Sequence, residues 1–295
     1  MKLGVVGSIN MDMVVTSERI PSKGETIKGN DISYIPGGKG ANQAVAAVRL
    51  GAEVEMFGCV GNDDNGRILI ENLIKEGIHT RNIQKIDNVT TGIAVITVAE
   101  NDNSIIVVAG ANNMVDKAYV DSISKDLLAC DMVVLQHEIP QETVEYVIHL
   151  CHEHQIKVVL NPAPARPVGK EIIDMVNYLT PNEHEAIIIF GADSNSEDLL
   201  KQYPEKLIIT QGEKGVSVCQ NSGEVLLVPA RKASVVDTTG AGDTLNGAFT
   251  VAISNNKNIA DALRFANVAA SLSTEKFGAQ GGMPSFEAVM KEINL

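Results

Sequence analysis

Residues 131–161 read DMVVLQHEIPQETVEYVIHLCHEHQIKVVLN, and this stretch decides the fold. Met132–Leu135 and Val158–Leu160 are apolar at every position, so both faces of each predicted strand need cover. Between them, Glu142–His154 repeats its apolar residues at helical spacing. Strand, helix and strand joined in this way imply a right-handed crossover between parallel neighbours. The alternation continues outward in both directions. Leu3–Val6, Val54–Phe57 and Leu207–Ile209 are predicted strands of the same buried kind, and Asn42–Leu50 and Asp64–Glu76 are predicted helices. The chain therefore reads as one α/β domain over residues 1–295, with a mostly parallel sheet between two helical layers.

Two stretches depart from this rhythm. Glu25–Ile35 alternates loosely. Gly92–Val98 and Ser104–Val108 are β-rich runs around Glu100-Asn101-Asp102-Asn103, which suits a hairpin connection. They predict a small β-sheet lid, roughly segments 12–36 and 88–110, standing off the main sheet. Its apolar side would cover a ligand or pair with a second subunit.

Composition excludes several classes. The 295 residues are 44% hydrophobic and carry a formal charge of −13, against a general nucleic-acid binder. No apolar run reaches the roughly 18 residues of a membrane span, and the N-terminus lacks a secretory pattern. The four cysteines are scattered without CxxC spacing, which fits free thiols in a reducing cytoplasm.

In open parallel sheets, ligands bind beyond the carboxyl ends of the strands. There this chain places Ser8, Asn10, Asp12, Glu138, Asn161, Asn182, Glu185, Thr210 and Gly212, a set suited to a polyol or a nucleotide. Two glycine-rich motifs adjoin that edge. Gly37-Gly38-Lys39-Gly40-Ala41-Asn42 opens a helix; it reads either as a capped turn or as a ligand loop, and its spacing is not that of a Walker A loop. Asp237-Thr238-Thr239-Gly240-Ala241-Gly242-Asp243 leads into Leu245, Ala248, Phe249 and Ala252 at helical spacing. The unpaired N–H groups of that turn and the helix dipole make an anion hole, with Asp243 in the first turn beside it.

In order and spacing, GSINMD (7–12), GGKGAN (37–42), NPAPA (161–165), TPNEHE (180–185) and DTTGAGDT (237–244) resemble the ribokinase family of sugar kinases across essentially the whole chain. The resemblance implies a three-layer α/β/α fold and ATP-dependent phosphorylation of D-ribose at O5. It implies that Asp243 is the base, with the amides of Gly240, Ala241 and Gly242 as the anion hole. Asn10, Asp12, Gly38, Lys39, Gly40, Asn42 and Glu138 match the sugar-binding set. Thr210, Gly212, Gly215, Gly242 and Asn267 match the nucleotide side.

Asn182 and Glu185 match a pair that organises Mg²⁺ near the phosphates, although the same spacing is a legal capping box. Asp237, Thr239, Ser273, Lys276, Gly278 and Gly282 match an activating K⁺ site, with a departure at Gly282, where relatives commonly carry serine. The resemblance also implies a homodimer joined through the lids. The alternatives are a kinase of deoxyribose, pseudouridine or a similar furanose, and a sugar or nucleotide sensor without catalysis.

Overall fold

The computed structural model describes residues 1–100, 102–191 and 196–293. In chain order the strands are β1 Lys2–Val6, β2 Asn10–Thr16, β3 Asp31–Gly37, β4 Glu53–Gly61, β5 Ile83–Ile86, β6 Gly92–Ala99 and β7 Asp102–Val108. They continue as β8 Met132–Gln136, β9 Lys157–Asn161, β10 Tyr178–Leu179, β11 Ile208–Thr210, β12 Val216–Cys219 and β13 Val225–Val228.

The predicted crossover is present. Helix Gln141–Glu153 joins β8 to the parallel β9 and buries Val144, Val147, Ile148 and Cys151, one face at helical spacing. Six strands form a parallel sheet in the order β10-β9-β8-β1-β4-β5. Side chains alternate across it, as the two-residue period requires. Met132 and Val134 of β8 pack in one core with Ala44, Leu245 and Phe249, whereas Val133 and Leu135 pack in the other with Tyr119, Val144 and Val147. Full burial of each such side chain stabilises by roughly 1.5–3 kcal/mol. Register aligns Val6, which ends β1, with Phe57 in the middle of β4 and Leu135 near the end of β8. The segments that follow β1 and β8 therefore open on one edge.

Leu207–Ile209 behaves differently from its expectation. β11 meets the parallel sheet only through the single bridges Leu179–Leu207 and Asn182–Thr210. Its full partner is the antiparallel β12, within a three-stranded β11-β12-β13 sheet. Only Gln211–Gly215 separates β11 from β12, too short for a crossover helix, so the chain must return antiparallel.

The lid is a four-stranded sheet in the order β3-β2-β6-β7. Of Glu25–Ile35, only the part from Asp31 is strand. Upstream, Glu25 ion-pairs with Arg19 and accepts from the Ser22 amide at 2.9 Å, which closes a loop and removes it from any ladder. The β6–β7 ladder runs to the pair Ala99–Asp102, so Asp102 and Asn103 belong to the sheet rather than to the connection. Asn101, the remaining connecting residue beside Glu100, lies outside the described residues. No helix among the described residues is long and apolar enough to cross a membrane.

Candidate functional site

The second glycine motif builds the centre of the site. Gly240, at φ +77°, caps helix Ala241–Ser254 in the left-handed region, where a side chain would also press on Ala279. The amides of Gly240, Gly242 and Asp243 take no partner among the described residues. Ala241 departs from its expected role, because its N–H donates to the Thr238 carbonyl at 3.2 Å. The turn closes on itself there, and the amide of Asp243 stands free in its place.

Asp243 is 6% exposed. Its Oδ2 accepts from Asn42 Nδ2 at 2.9 Å and its Oδ1 from Gln43 Nε2 at 3.0 Å. Both donors sit near the start of helix Lys39–Arg49, which Gly38 precedes. The two glycine-led helices thus meet at one carboxylate. Asn42, expected at the sugar, also accepts from Gln280 Nε2 at 3.1 Å.

The other expected sugar residues gather around this point. Asn10 opens β2 and accepts from Asn112 Nδ2 at 2.7 Å. Glu138, just after β8, accepts from Ser8 Oγ at 2.5 Å and from the Lys39 amide at 3.0 Å, and the Ser8 hydroxyl lies 3.3 Å from the Gly40 amide. A carboxylate thereby covers the positive end of the first helix. Burial, reinforced by Glu138 and Asp243, pushes the Asp12 carboxyl up to about 7. Burial alone would lower Lys39, but Asp243, Glu138, Glu185 and Asp12 together hold its ammonium above the ordinary range. Four carboxylates and one ammonium therefore share this end of the molecule.

Two openings meet here. Lys39, Asn161, Asn182, Glu185, Gly240 and Asp243 line a pocket of about 160 Å³. Gly212, Gly215, Ala241 and Asn267 line a cavity of about 850 Å³. Thr210 and Gly242 border both, so the large cavity opens onto the small pocket at the anion turn. Asn267 lines the cavity while its amide holds the Val228 carbonyl at 2.7 Å, bracing β13. Lys214, Arg231 and Lys232 also line the cavity and were not anticipated; Arg231 is ion-paired with Glu275 and Glu292.

Asn182 and Glu185 form the capping box that their spacing allowed, with reciprocal bonds of 2.8 Å. Both also line the small pocket. Their oxygens suit a hard divalent ion that keeps its waters. Among the described residues no group of three or more acidic, histidine or cysteine side chains makes a protein-only cage. A divalent ion that drew part of its coordination from a nucleotide's phosphates would need none.

The expected K⁺ segments are sewn together. The Asp237 carboxylate accepts from the Thr239 amide at 2.9 Å and the Gly278 amide at 2.8 Å, while the Thr274 carbonyl accepts from the Val236 and Asp237 amides. Ser273 is buried against Gly282, and Lys276 is exposed in the loop between Ser273 and Gly278. A carboxylate and main-chain carbonyls fit a hard monovalent ion. At Gly282 an added Cβ would lie 2.0 Å from the Ser273 carbonyl oxygen.

Gln43, Gln136, Asn112 and Gln280 complete the polar cluster and were not anticipated as site residues. The available signal was position: Gln43 follows Asn42 directly, and Gln136 ends an apolar strand two residues before Glu138.

The sequence profile of the pfkB family of carbohydrate kinases matches residues 2–285. The chain is 52% identical over 281 residues to a ribokinase of Bacillus subtilis, covering 95% of each chain. It is 46% identical to a ribokinase of Lactococcus lactis over 100% of this chain and 98% of that one. The solved structure of an Arabidopsis thaliana ribokinase complexed with ribose and ATP superposes with a TM-score of 0.91 at 32% identity, covering 99% and 98% of the two chains.

Proposed function

The chain belongs to the pfkB family of carbohydrate kinases, and on that premise we propose that it transfers the γ-phosphoryl group of ATP to O5 of D-ribose, giving D-ribose 5-phosphate and ADP. One observation carries the chemistry. A buried carboxylate and unpaired main-chain amides stand together where a nucleotide-sized cavity opens onto a small polar pocket.

ATP lies in the large cavity, with its phosphates directed to the turn at Gly240–Asp243. Ribose lies beside Asp243, its hydroxyls among Asn10, Asp12, Lys39 and Glu138, of which Lys39 also lines the small pocket. O5 attacks the γ-phosphorus, its proton passes to a carboxylate oxygen of Asp243, and the bond from phosphorus to the ADP oxygen breaks. Phosphoryl transfer depends mainly on positioning and charge stabilisation, so one base and fixed donors suffice. The Gly240, Gly242 and Asp243 amides receive the charge on the transferring group.

Glu185 and Asn182 would hold Mg²⁺, which neutralises phosphate charge when bound. Asp237 and the carbonyls of Thr239, Ser273, Lys276 and Gly278 would hold K⁺, which adds positive potential beside the turn. Gly282 supplies no side-chain ligand. We further propose a homodimer through the lids and a cytoplasmic location. Four buried free thiols support the latter, since a reducing compartment preserves them.

The test is ADP release across a panel of sugars and nucleosides, with and without K⁺. Ribose as the best acceptor is expected. A best substrate carrying a base would replace ribose with a nucleoside, and no release at all would leave a sensor.

A further inference from the structure

We propose that Gln43, backed by Gln136, is a positioning residue that fixes the Asp243 carboxylate in its reacting orientation. The inference rests on the reading of Asp243 as base. Gln43 lies on helix Lys39–Arg49, and Gln136 is the last residue of β8; both are 0% exposed. Gln136 Nε2 donates to Gln43 Oε1 at 2.7 Å, and Gln43 Nε2 donates to Asp243 Oδ1 at 3.0 Å.

The direction of this relay is fixed by chemistry. An ionised carboxylate only accepts, so Gln43 must present its NH₂ group to Asp243. Its oxygen then faces Gln136, which must present NH₂ in turn.

Stability alone does not account for the pair. Gln136 Oε1 is buried without a partner, so the relay leaves an acceptor unsatisfied at its far end. Apolar residues of the same shape would avoid that penalty. What the amides supply is a donor aimed at the base.

The other donor is placed differently. Asn42 has the same pattern of bonds, its NH₂ on Asp243 and its Oδ1 accepting from Gln280, but it stands at the expected sugar site, where a sugar hydroxyl can draw on its amide. Among the described residues the Gln43 side chain bonds only Asp243 and Gln136, so it keeps its hold when the sugar binds. With Oδ1 anchored, the remaining lone pairs of Oδ2 stay turned toward the pocket.

A donor to the ionised form also favours that form. Removing it moves the acid limb of the turnover profile to higher pH. The charged groups facing Asp243 are Asp12 from β2, Glu138 after β8 and Lys39 at the start of the first helix, with Glu185 beyond Lys39. Gln43→Met and Gln136→Met retain all of them and add no charge, so differences between their limbs and that of wild type report the relay.

The experiment compares wild type, Gln43→Met, Gln43→Glu and Gln136→Met by kcat, KM and pH profile, with thermal melts alongside. Gln43→Met is expected to lower kcat about tenfold or more, as for a lost bond to a charged group, with KM for ATP unchanged. Its acid limb should rise by about half a unit or more. Gln43→Glu, which sets a second carboxylate against the first, should raise the limb further, and Gln136→Met should move it less in the same direction. A limb unmoved in Gln43→Met overturns the proposal, whether or not kcat falls, because a merely structural role predicts that result. If Gln43→Met does not fold, Gln136→Met decides by the same criterion. Failure of the underlying reading looks different: wild type would release no ADP with ribose, or Asp243→Asn would keep turnover.

Discussion

At the scale of single residues, the site depends on carboxylates held in different states by their surroundings. Asp243→Asn keeps the side-chain volume but removes the base and sets an NH₂ group against one of its two amide donors. Turnover should fall by about a thousandfold or more, while nucleotide binding, measured by calorimetry, persists because the large cavity lies on the other side of the turn. Turnover near wild type in this variant would remove Asp243 from the chemistry. Asp12 yields a prediction about stability. Its carboxyl is raised from 3.8 to about 7, chiefly by burial and then by Glu138 and Asp243. The folded chain therefore binds this proton more tightly than the unfolded chain does. That contribution is complete below pH about 4 and is lost as pH rises through about 7. Asp12→Asn should flatten this dependence and melt a few degrees higher than wild type at pH 8, in the absence of sugar. Parallel melting curves for the two proteins from pH 4 to pH 8 would contradict the account.

Among the elements, the short helix Ala279–Gly282 is tightly packed at its last residue. The serine that the family resemblance leads one to expect at position 282 would be the obvious addition to the proposed K⁺ site, but the backbone leaves no room for it. A Cβ on Gly282 would meet the Ser273 carbonyl at 2.0 Å, and that carbonyl is itself an expected ligand. Gly282→Ser should therefore lower stability by about 1–3 kcal/mol and leave the KCl concentration for half-activation no lower. A stable variant activated at lower KCl would show that this segment yields readily. Legibility in the sequence follows burial in the same way. β1, β4, β8 and β9 could be read because both faces are covered, which leaves apolar runs. β5 and β13 are half-exposed and too short to show a period. The glycine turns pointed to a cluster of free amides, yet which amide is free depends on how the turn closes: that of Ala241 bonds Thr238, whereas that of Asp243 takes no partner among the described residues. Gln43 and Gln136 were illegible for another reason. Glutamine on a helix or at a strand end ordinarily faces water, and only the packing of two helices against the sheet reveals that these two face inward.

The whole molecule leaves one apolar surface whose cover the chain itself does not supply. β7 is an edge strand of the lid, and its consecutive Ile105, Ile106, Val107 and Val108 are each at least half exposed, Ile106 at 67%. Consecutive residues of a strand point to opposite faces, so both sides of this edge are apolar. On the other edge, Ile32 and Tyr34 of β3 are exposed as well. An open hydrophobic edge of this length invites pairing with another chain and is normally covered. The main sheet cannot provide that cover, because both of its own faces are filled by helices. A second lid can, and the pairing would also stiffen the sheet that carries Asn10 and Asp12 at its root. Ile106→Glu places a charge in the middle of that surface at a position where the monomer makes little contact. Wild type is expected to sediment as a dimer at micromolar concentration and the variant as a monomer, and its melting temperature should change little once dissociation is allowed for. Its KM for ribose should rise, because β2 would lose the support that the paired lids give it. Wild-type protein that sediments as a monomer, or a dimeric Ile106→Glu, would place the association elsewhere and separate sugar affinity from assembly.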